Sequence, residues 1–344
     1  MSDTAHHLTK PTHGGNVTAA ANEFGLPEDQ WIDLSTGINS TSYPNTKLSR
    51  EIFRVLPRAS NIDCLLKEAR TYYKVNNNSQ IIAGAGTQSI LQSLPLLFPN
   101  RKVYILSPTY SEHQYTWEKA GNEVYTVKTL NSIPRNVIAV AVNPNNPNGH
   151  KYPVEDLLNL SEKLELLIVD EAFCDTEPNL SIIPHLANQR ILVLRSLGKF
   201  FGLAGLRLGF AIGMPEITQH LAIRLGPWSV SGPAAEIGTR ALADTLWISR
   251  MERILNSQSS RLNSILRRQN FSIVGGTSLF TLIQTNHAYR IYNALAKQGI
   301  LVRRFENYET WLRIGLPGPE NEWEKLECTL NSILNTINNM RKRT

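Results

Sequence analysis

The chain has 344 residues, 42 % hydrophobic and 19 % charged, an ordinary globular composition with length enough for two domains. Its 35 basic and 29 acidic side chains are spread thinly, which speaks against nucleic-acid binding and fits small anionic molecules such as phosphate esters. Three scattered cysteines (Cys64, Cys174, Cys328) speak against a disulfide framework or a cysteine-based metal site and fit a reducing, cytoplasmic setting, and no run approaches the ~20 apolar residues of a membrane span.

Residues 1–45 read as an N-terminal arm, with His6-His7 a loose end and a short helical patch from Val17 to Phe24. Two phrases stand out in it, His13-Gly14-Gly15-Asn16 and Asp33-Leu34-Ser35-Thr36-Gly37-Ile38-Asn39, whose glycines permit sharp turns or close approach to a ligand. Taken alone, His13 also fits a surface loop. From Leu48 to Tyr73 the spacing of Ile52, Val55, Leu65, Leu66, Ala69, Tyr72 and Tyr73 predicts helix, interrupted at Pro57 and Ser60-Asn61.

A series of short apolar runs follows, each ending in polar or turn residues. Ile81-Ile82-Ala83 leads to Gly84-Ala85-Gly86-Thr87-Gln88-Ser89 and a helix over Ile90 to Leu97. Small residues opening a helix leave backbone N–H groups for an anion, although a plain strand-to-helix turn fits equally well. Val103 to Leu106 ends at Ser107-Pro108-Thr109-Tyr110, where the aromatic suits either stacking on a flat ring or the core. Val137 to Val142 ends at Asn143-Pro144-Asn145-Asn146-Pro147-Asn148-Gly149, whose Asn-Pro steps favour an extended turn. Leu166 to Val169 ends at Asp170-Glu171-Ala172-Phe173. A carboxylate at a buried strand end requires a partner: a protonated ring nitrogen is one, a salt bridge or helix cap another.

The fifth run, Ile191 to Leu194, ends at Ser196-Leu197-Gly198 and Lys199, with Arg207 and a further strand, Leu208 to Ile212, beyond. Desolvation favours the neutral amine that attacks carbonyls, so a lysine just past a buried strand suits imine formation. Ser196 and Arg207 suit an anion beside it, arginine by a forked contact. On residue types alone the stretch also fits a surface lysine and a structural arginine. Alternating strands and helices predict a mostly parallel, doubly covered sheet, in which ligands sit beyond the carboxyl ends of the strands. Gly86, Tyr110, Asn146, Asp170, Ser196 and Lys199 all fall there.

After Pro227-Trp228-Ser229-Val230-Ser231-Gly232-Pro233 the pattern changes. Ala234 to Leu266 reads as helix, Phe271 to Val274 and Leu279 to Ile283 as strands, and Tyr289 to Lys297 as helix. Gly299-Ile300-Leu301-Val302-Arg303-Arg304 and Trp311-Leu312-Arg313-Ile314-Gly315-Leu316 precede a final amphipathic helix from Glu320 to about Met340, and Arg341-Lys342-Arg343 reads as its solvated end. The expected domains are an arm over 1–45, a large domain over 46–230 and a smaller α+β domain over 231–344.

In this order, Asn-Asn-Pro-x-Gly, Asp-Glu-Ala-Phe, Ser-x-x-Lys and Arg-x-Gly make the chain resemble the fold-type I, pyridoxal 5'-phosphate (PLP)-dependent aminotransferase superfamily over residues 11 to 335, within its histidinol-phosphate aminotransferase group. His13-Gly14-Gly15-Asn16, the Asp33–Asn39 phrase, Pro227–Pro233 and Trp311–Gly318 resemble the threonine-phosphate decarboxylase branch of cobalamin biosynthesis, and Phe173 stands where ordinary histidinol-phosphate aminotransferases have tyrosine. The resemblance implies an α/β fold and a catalytic set of Lys199 on the cofactor aldehyde, Asp170 on the ring nitrogen and Tyr110 stacked on the ring. It further implies Asn146 at the ring 3-oxygen, and Gly86, Thr87, Ser196 and Arg207 around the phosphate. Arg313 is expected at the substrate carboxylate and Arg303 at its phosphate, with His13 and Asn39 nearby and no role for a metal. The implied partners are a small phosphorylated amino acid and a second copy of the chain as a homodimer, without nucleic acid or membrane. The alternative activity is histidinol-phosphate or related amino-acid transamination, which uses the same lysine and aspartate.

Overall fold

Aliphatic and β-branched runs bury most completely in this chain, and they form its central strands. In Ile138–Val142, Leu166–Asp170, Ile191–Ser196 and Gly209–Gly213 every residue is buried, as expected for strands covered on both faces. The structure, a computed structural model, describes residues 10–44, 47–187 and 189–341. The His6-His7 pair and the basic tail after Arg341 lie outside the described residues. The chain clusters into two units. One is Met1–Thr12, Tyr43–Asn146 and His150–Trp247; the other is His13–Ser42, Pro147–Gly149 and Ile248–Thr344.

The first unit holds a seven-stranded sheet in the order Gln80–Gly84, Gly209–Gly213, Ile191–Ser196, Leu166–Asp170, Ile138–Val142, Lys102–Leu106, Glu123–Val127. Gly209–Gly213 is antiparallel to both neighbours and the remaining pairs are parallel. The carboxyl ends of six strands therefore share one edge, and the reversed strand begins at that edge. One face is covered by Ile90, Leu91 and Leu94 and by Trp117, which pack on Val103, Ile105, Ile138, Val140, Leu166, Ile168, Leu192 and Leu194. Burying such a side chain contributes roughly 1.5–3 kcal/mol. Helix Ala59–Tyr72 packs against helix Gly232–Ala243.

The second unit has an antiparallel sheet in the order Arg303–Arg304, Trp311–Gly315, Phe280–Gln284, Ser272–Thr277. A parallel pair, Ile32–Asp33 with Ile300–Leu301, ties the N-terminal segment to it. Helices Val17–Phe24, Ala288–Ala296 and Glu320–Arg341 belong to this unit.

The domain bounds differ from those read in the sequence. Residues 13–42 join the C-terminal unit through the Ile32–Asp33 pairing. Residues 231–247 stay with the first unit, where Gly232–Ala243 packs on Ala59–Tyr72. The long helical stretch after residue 231 divides at Asp244, whose Oδ1 accepts the Trp247 amide (3.0 Å) and starts helix Thr245–Arg268.

Candidate functional site

In the first unit the strand ends bring six of the candidate residues to one sheet edge. Asp170 and Ser196 are the last residues of adjacent parallel strands, and Lys199 follows three positions after Ser196. Gly86 and Tyr110 follow the strands Gln80–Gly84 and Lys102–Leu106, and Asn146 follows Ile138–Val142. Arg207 precedes the reversed strand Gly209–Gly213 and so reaches the same edge.

Asp170 is 4 % exposed, and both its oxygens are engaged. Oδ1 accepts the Ala172 amide (3.0 Å), and Oδ2 lies 3.0 Å from Nε2 of the fully buried His113. An ionised carboxylate only accepts, so Nε2 donates. His113 went unread in the sequence; it lies in helix Glu112–Lys119 just after Tyr110, and the two rings meet edge-on at 6.0 Å. The Tyr110 hydroxyl donates to Gln88 Oε1 (3.4 Å), and Gln88 Nε2 donates to the buried Glu112 carboxylate.

Lys199 is half-buried between Gly198 and the buried Phe200, with Nζ 5.4 Å from the Phe173 ring centroid. Ser196 Oγ accepts the Gly198 amide (3.2 Å), which shapes the turn carrying the lysine. Gly86 opens helix Gly86–Ser93 at φ +75°, and a Cβ there would lie 2.5 Å from Arg207 Nη2. Only glycine lets the guanidinium lie against that helix start. Arg207 itself has φ +54°, and its Nη1 donates to Ala204 O (3.1 Å). In the turn after Ile138–Val142, Asn145 Nδ2 donates to Pro108 O (2.8 Å) and Oδ1 accepts from Thr109 (2.7 Å). Asn143 Nδ2 donates to Tyr152 O (3.1 Å), so Asn143 and Asn145 anchor the loop that presents Asn146.

The second unit gathers the remaining candidates. Arg303 and Arg313 are register partners on adjacent antiparallel strands, where side chains share a face and like charges repel. Arg313 is 5 % exposed, donates through Nη2 to Ser35 O (2.7 Å), and lies over the Phe280 ring (4.8 Å). Burial and the Arg303 charge push its guanidinium down to about 9, against the opposing pull of Asp33. Asp33 Oδ1 accepts the Ser35 amide (2.8 Å), and Ser35 Oγ accepts the Gly15 amide (2.7 Å). The segment carrying the exposed His13 is thereby fixed to the backbone that holds Arg313. Asn39 is buried and its Oδ1 accepts the Thr41 amide (2.9 Å), a local turn bond. Arg304 points away from Arg303 by strand alternation; it is exposed, 4.6 Å from the Tyr292 ring and 5.0 Å from the Tyr289 ring.

The first unit's donor set (amine, buried carboxylate, helix N-terminus with guanidinium) fits a cationic heterocycle bearing a carbonyl and a phosphate. No group of three or more potential metal ligands occurs among the described residues.

Residues 31–326 match the family model for aminotransferase class I and II. The chain is 36 % identical over 328 residues to the threonine-phosphate decarboxylase of Pseudomonas aeruginosa, spanning 92 % of this chain and 96 % of that one. It is 38 % identical over 312 residues to the threonine-phosphate decarboxylase of a Sinorhizobium species, spanning 88 % and 92 %. Its fold resembles the crystal structure of histidinol-phosphate aminotransferase from Sinorhizobium meliloti in complex with pyridoxal-5'-phosphate, with a TM-score of 0.81 at 18 % identity over 98 % of this chain and 99 % of that one.

Proposed function

Because the chain belongs to the aminotransferase class I and II family, we propose that it is a PLP-dependent enzyme that decarboxylates L-threonine O-3-phosphate to (R)-1-amino-2-propanol O-2-phosphate. The observation that carries this reading is the likeness to two threonine-phosphate decarboxylases at 36 % and 38 % identity over about nine-tenths of the chain. The opposed Arg303 and Arg313 support it, since a substrate with a carboxylate and a phosphate offers one anion to each.

When bound, PLP supplies an electron sink for the charge left as a bond to the substrate α-carbon breaks. Lys199 would hold it through Nζ, and the same amine would carry a proton to or from the substrate carbon. Asp170, with Oδ2 held by His113, would favour a proton on the ring nitrogen. Asn146 would donate to the ring 3-oxygen, and Tyr110 would cover the ring face. Gly86, Thr87, Ser196 and Arg207 would hold the cofactor phosphate. In the second unit Arg313 takes the substrate carboxylate and Arg303 its phosphate, with His13 and Asn39 supporting them. Fixing two ends of a small substrate limits which α-carbon bond is aligned for cleavage, and remote phosphate binding supplies energy for that alignment.

In this reading the enzyme works in cobalamin biosynthesis, in the cytoplasm, as a homodimer, with neither nucleic acid nor membrane as partner. No helix among the described residues is long and apolar enough to cross a membrane. Phe53, Leu56 and Trp228 of the first unit are 67 %, 61 % and 59 % exposed and offer apolar area to a second copy. The test of the activity is incubation with threonine phosphate and no keto acid. Sustained carbon dioxide release with equimolar aminopropanol phosphate supports it. Transfer of the amino group to 2-oxoglutarate, without carbon dioxide, overturns it.

A further inference from the structure

Directly behind Asp170 and Ser196 lies a buried ionic cluster that the proposed chemistry does not use. Side chains alternate along strands. Asp170 therefore shares the sheet face of Leu166 and Ile168, and Ser196 that of Leu192 and Leu194, the face covered by Ile90 and Trp117. Arg195 projects to the opposite face, where its guanidinium stacks 4.5 Å over Tyr73. Its Nη1 donates to Glu171 Oε2 (2.9 Å) and its Nη2 to Asp175 Oδ1 (2.8 Å). Ser181 Oγ and the Ile182 amide donate to Glu171 (2.7 and 2.8 Å), and the Tyr72 hydroxyl donates to Asp175 (3.1 Å). Arg195, Glu171 and Asp175 are 3 %, 0 % and 2 % exposed. The Glu171 amide donates to Leu194 O (2.9 Å), so backbone and side chain join the same two strand ends.

We propose that Arg195, Glu171 and Asp175 form a clamp that holds the ends of strands Leu166–Asp170 and Ile191–Ser196 at a fixed separation, so that Asp170 and the Ser196–Lys199 turn are in register for the cofactor before it binds. Two of its three members are one residue from a group assigned to the cofactor: Glu171 follows Asp170, and Arg195 precedes Ser196. Arginine's rigid fork meets two carboxylates at once, which lysine's single ammonium does not. Burial pushes Glu171 and Asp175 above the usual carboxylate range, with Arg195 opposing, so an intact pairing is required to keep the cluster folded. The three are positioning residues, touching neither cofactor nor substrate in this role.

The inference rests on Asp170 and Ser196 serving the cofactor, and the experiment separates the two claims. PLP is titrated into cofactor-free protein carrying Glu171→Gln, whose amide nitrogen must face a donor in either orientation, the Ile182 amide or Arg195 with Ser181. We expect a folded chain with PLP affinity lowered about tenfold, the lower end of what loss of an outer-shell support costs, and an altered pH midpoint of the bound cofactor's visible absorbance. Asp175→Asn keeps its acceptor oxygen and should lose less. Affinity within twofold of wild type in folded Glu171→Gln, while Asp170→Ala weakens binding, overturns the clamp alone. Unchanged affinity in Asp170→Ala overturns the assignment beneath it. Should Glu171→Gln not fold, hydrogen exchange on the cofactor-free wild-type chain decides. Slow exchange at the Ile182 amide, which donates to the Glu171 carboxylate, supports a preformed clamp, and loop-like exchange there overturns it.

Discussion

At the scale of single residues, the most informative feature of the second unit is the pairing of Arg303 with Arg313 across a strand ladder. Two cations on one sheet face repel, and burial adds to the cost at Arg313. A bound anion relieves both. Charge-assisted contacts contribute ~1.5–3 kcal/mol, so Arg313→Gln should raise KM for threonine phosphate by roughly 10- to 100-fold while PLP affinity changes little. Equal losses of both would count against its assignment to the substrate. The pH dependence follows from the same cause. With the Arg313 guanidinium pushed down to about 9, its charge is full below that pH and declines above it. The KM measured across the alkaline range should therefore rise as pH passes about 9, and a flat profile would show that Arg313 stays charged or is not used. His113 poses a related question on the cofactor side. His113→Phe removes the Nε2 donor 3.0 Å from Asp170, and kcat should fall at least tenfold while the cofactor is retained; unchanged kcat would leave His113 a core residue only.

At the scale of elements, the carboxyl ends of the parallel strands were the legible part of the sequence. Each apolar run stops at residues that cannot continue a buried strand, and the stopping residues were the candidates themselves. Edge strand Glu123–Val127 was missed because none of its side chains is fully buried and its charged start lacks the apolar run that marked the others. His113 was missed for a different reason: one histidine on a helix carries no periodic signal, and its value depends on Asp170, distant in sequence. Arg195 and Glu171 were equally silent, because a buried ion pair is defined by contact across strands. Helix Gly86–Ser93 offers a direct test of the turn that opens it. Gly86→Ala imposes φ +75° on a residue with a Cβ and drives that Cβ against Arg207. PLP affinity should fall, and the melting temperature should drop by an amount corresponding to about 1–3 kcal/mol. Unaltered affinity would remove this turn from the phosphate site.

At the scale of the whole molecule, the two units divide the assigned labour. The α/β unit carries the residues assigned to the cofactor, and the unit formed from residues 13–42, 147–149 and 248–344 carries those assigned to the substrate. Neither length nor composition carries a sign of this interleaving. The pairing of Ile32–Asp33 with Ile300–Leu301 joins segments far apart in sequence, and two-residue strands leave no pattern to read. The exposed Phe53, Leu56 and Trp228 belong to the same scale. Sedimentation should give about twice the 38.6 kDa chain mass, and Leu56→Asp with Trp228→Asp should shift it toward the single chain. A wild-type protein of single-chain mass would contradict the homodimer. The most direct measurement is the product balance of the purified holoenzyme on threonine phosphate alone. One carbon dioxide and one aminopropanol phosphate per substrate consumed, over many turnovers and without added keto acid, is the expected result. A single turnover that stops with the amino group on the cofactor, resumed only by 2-oxoglutarate, would show a transaminase instead.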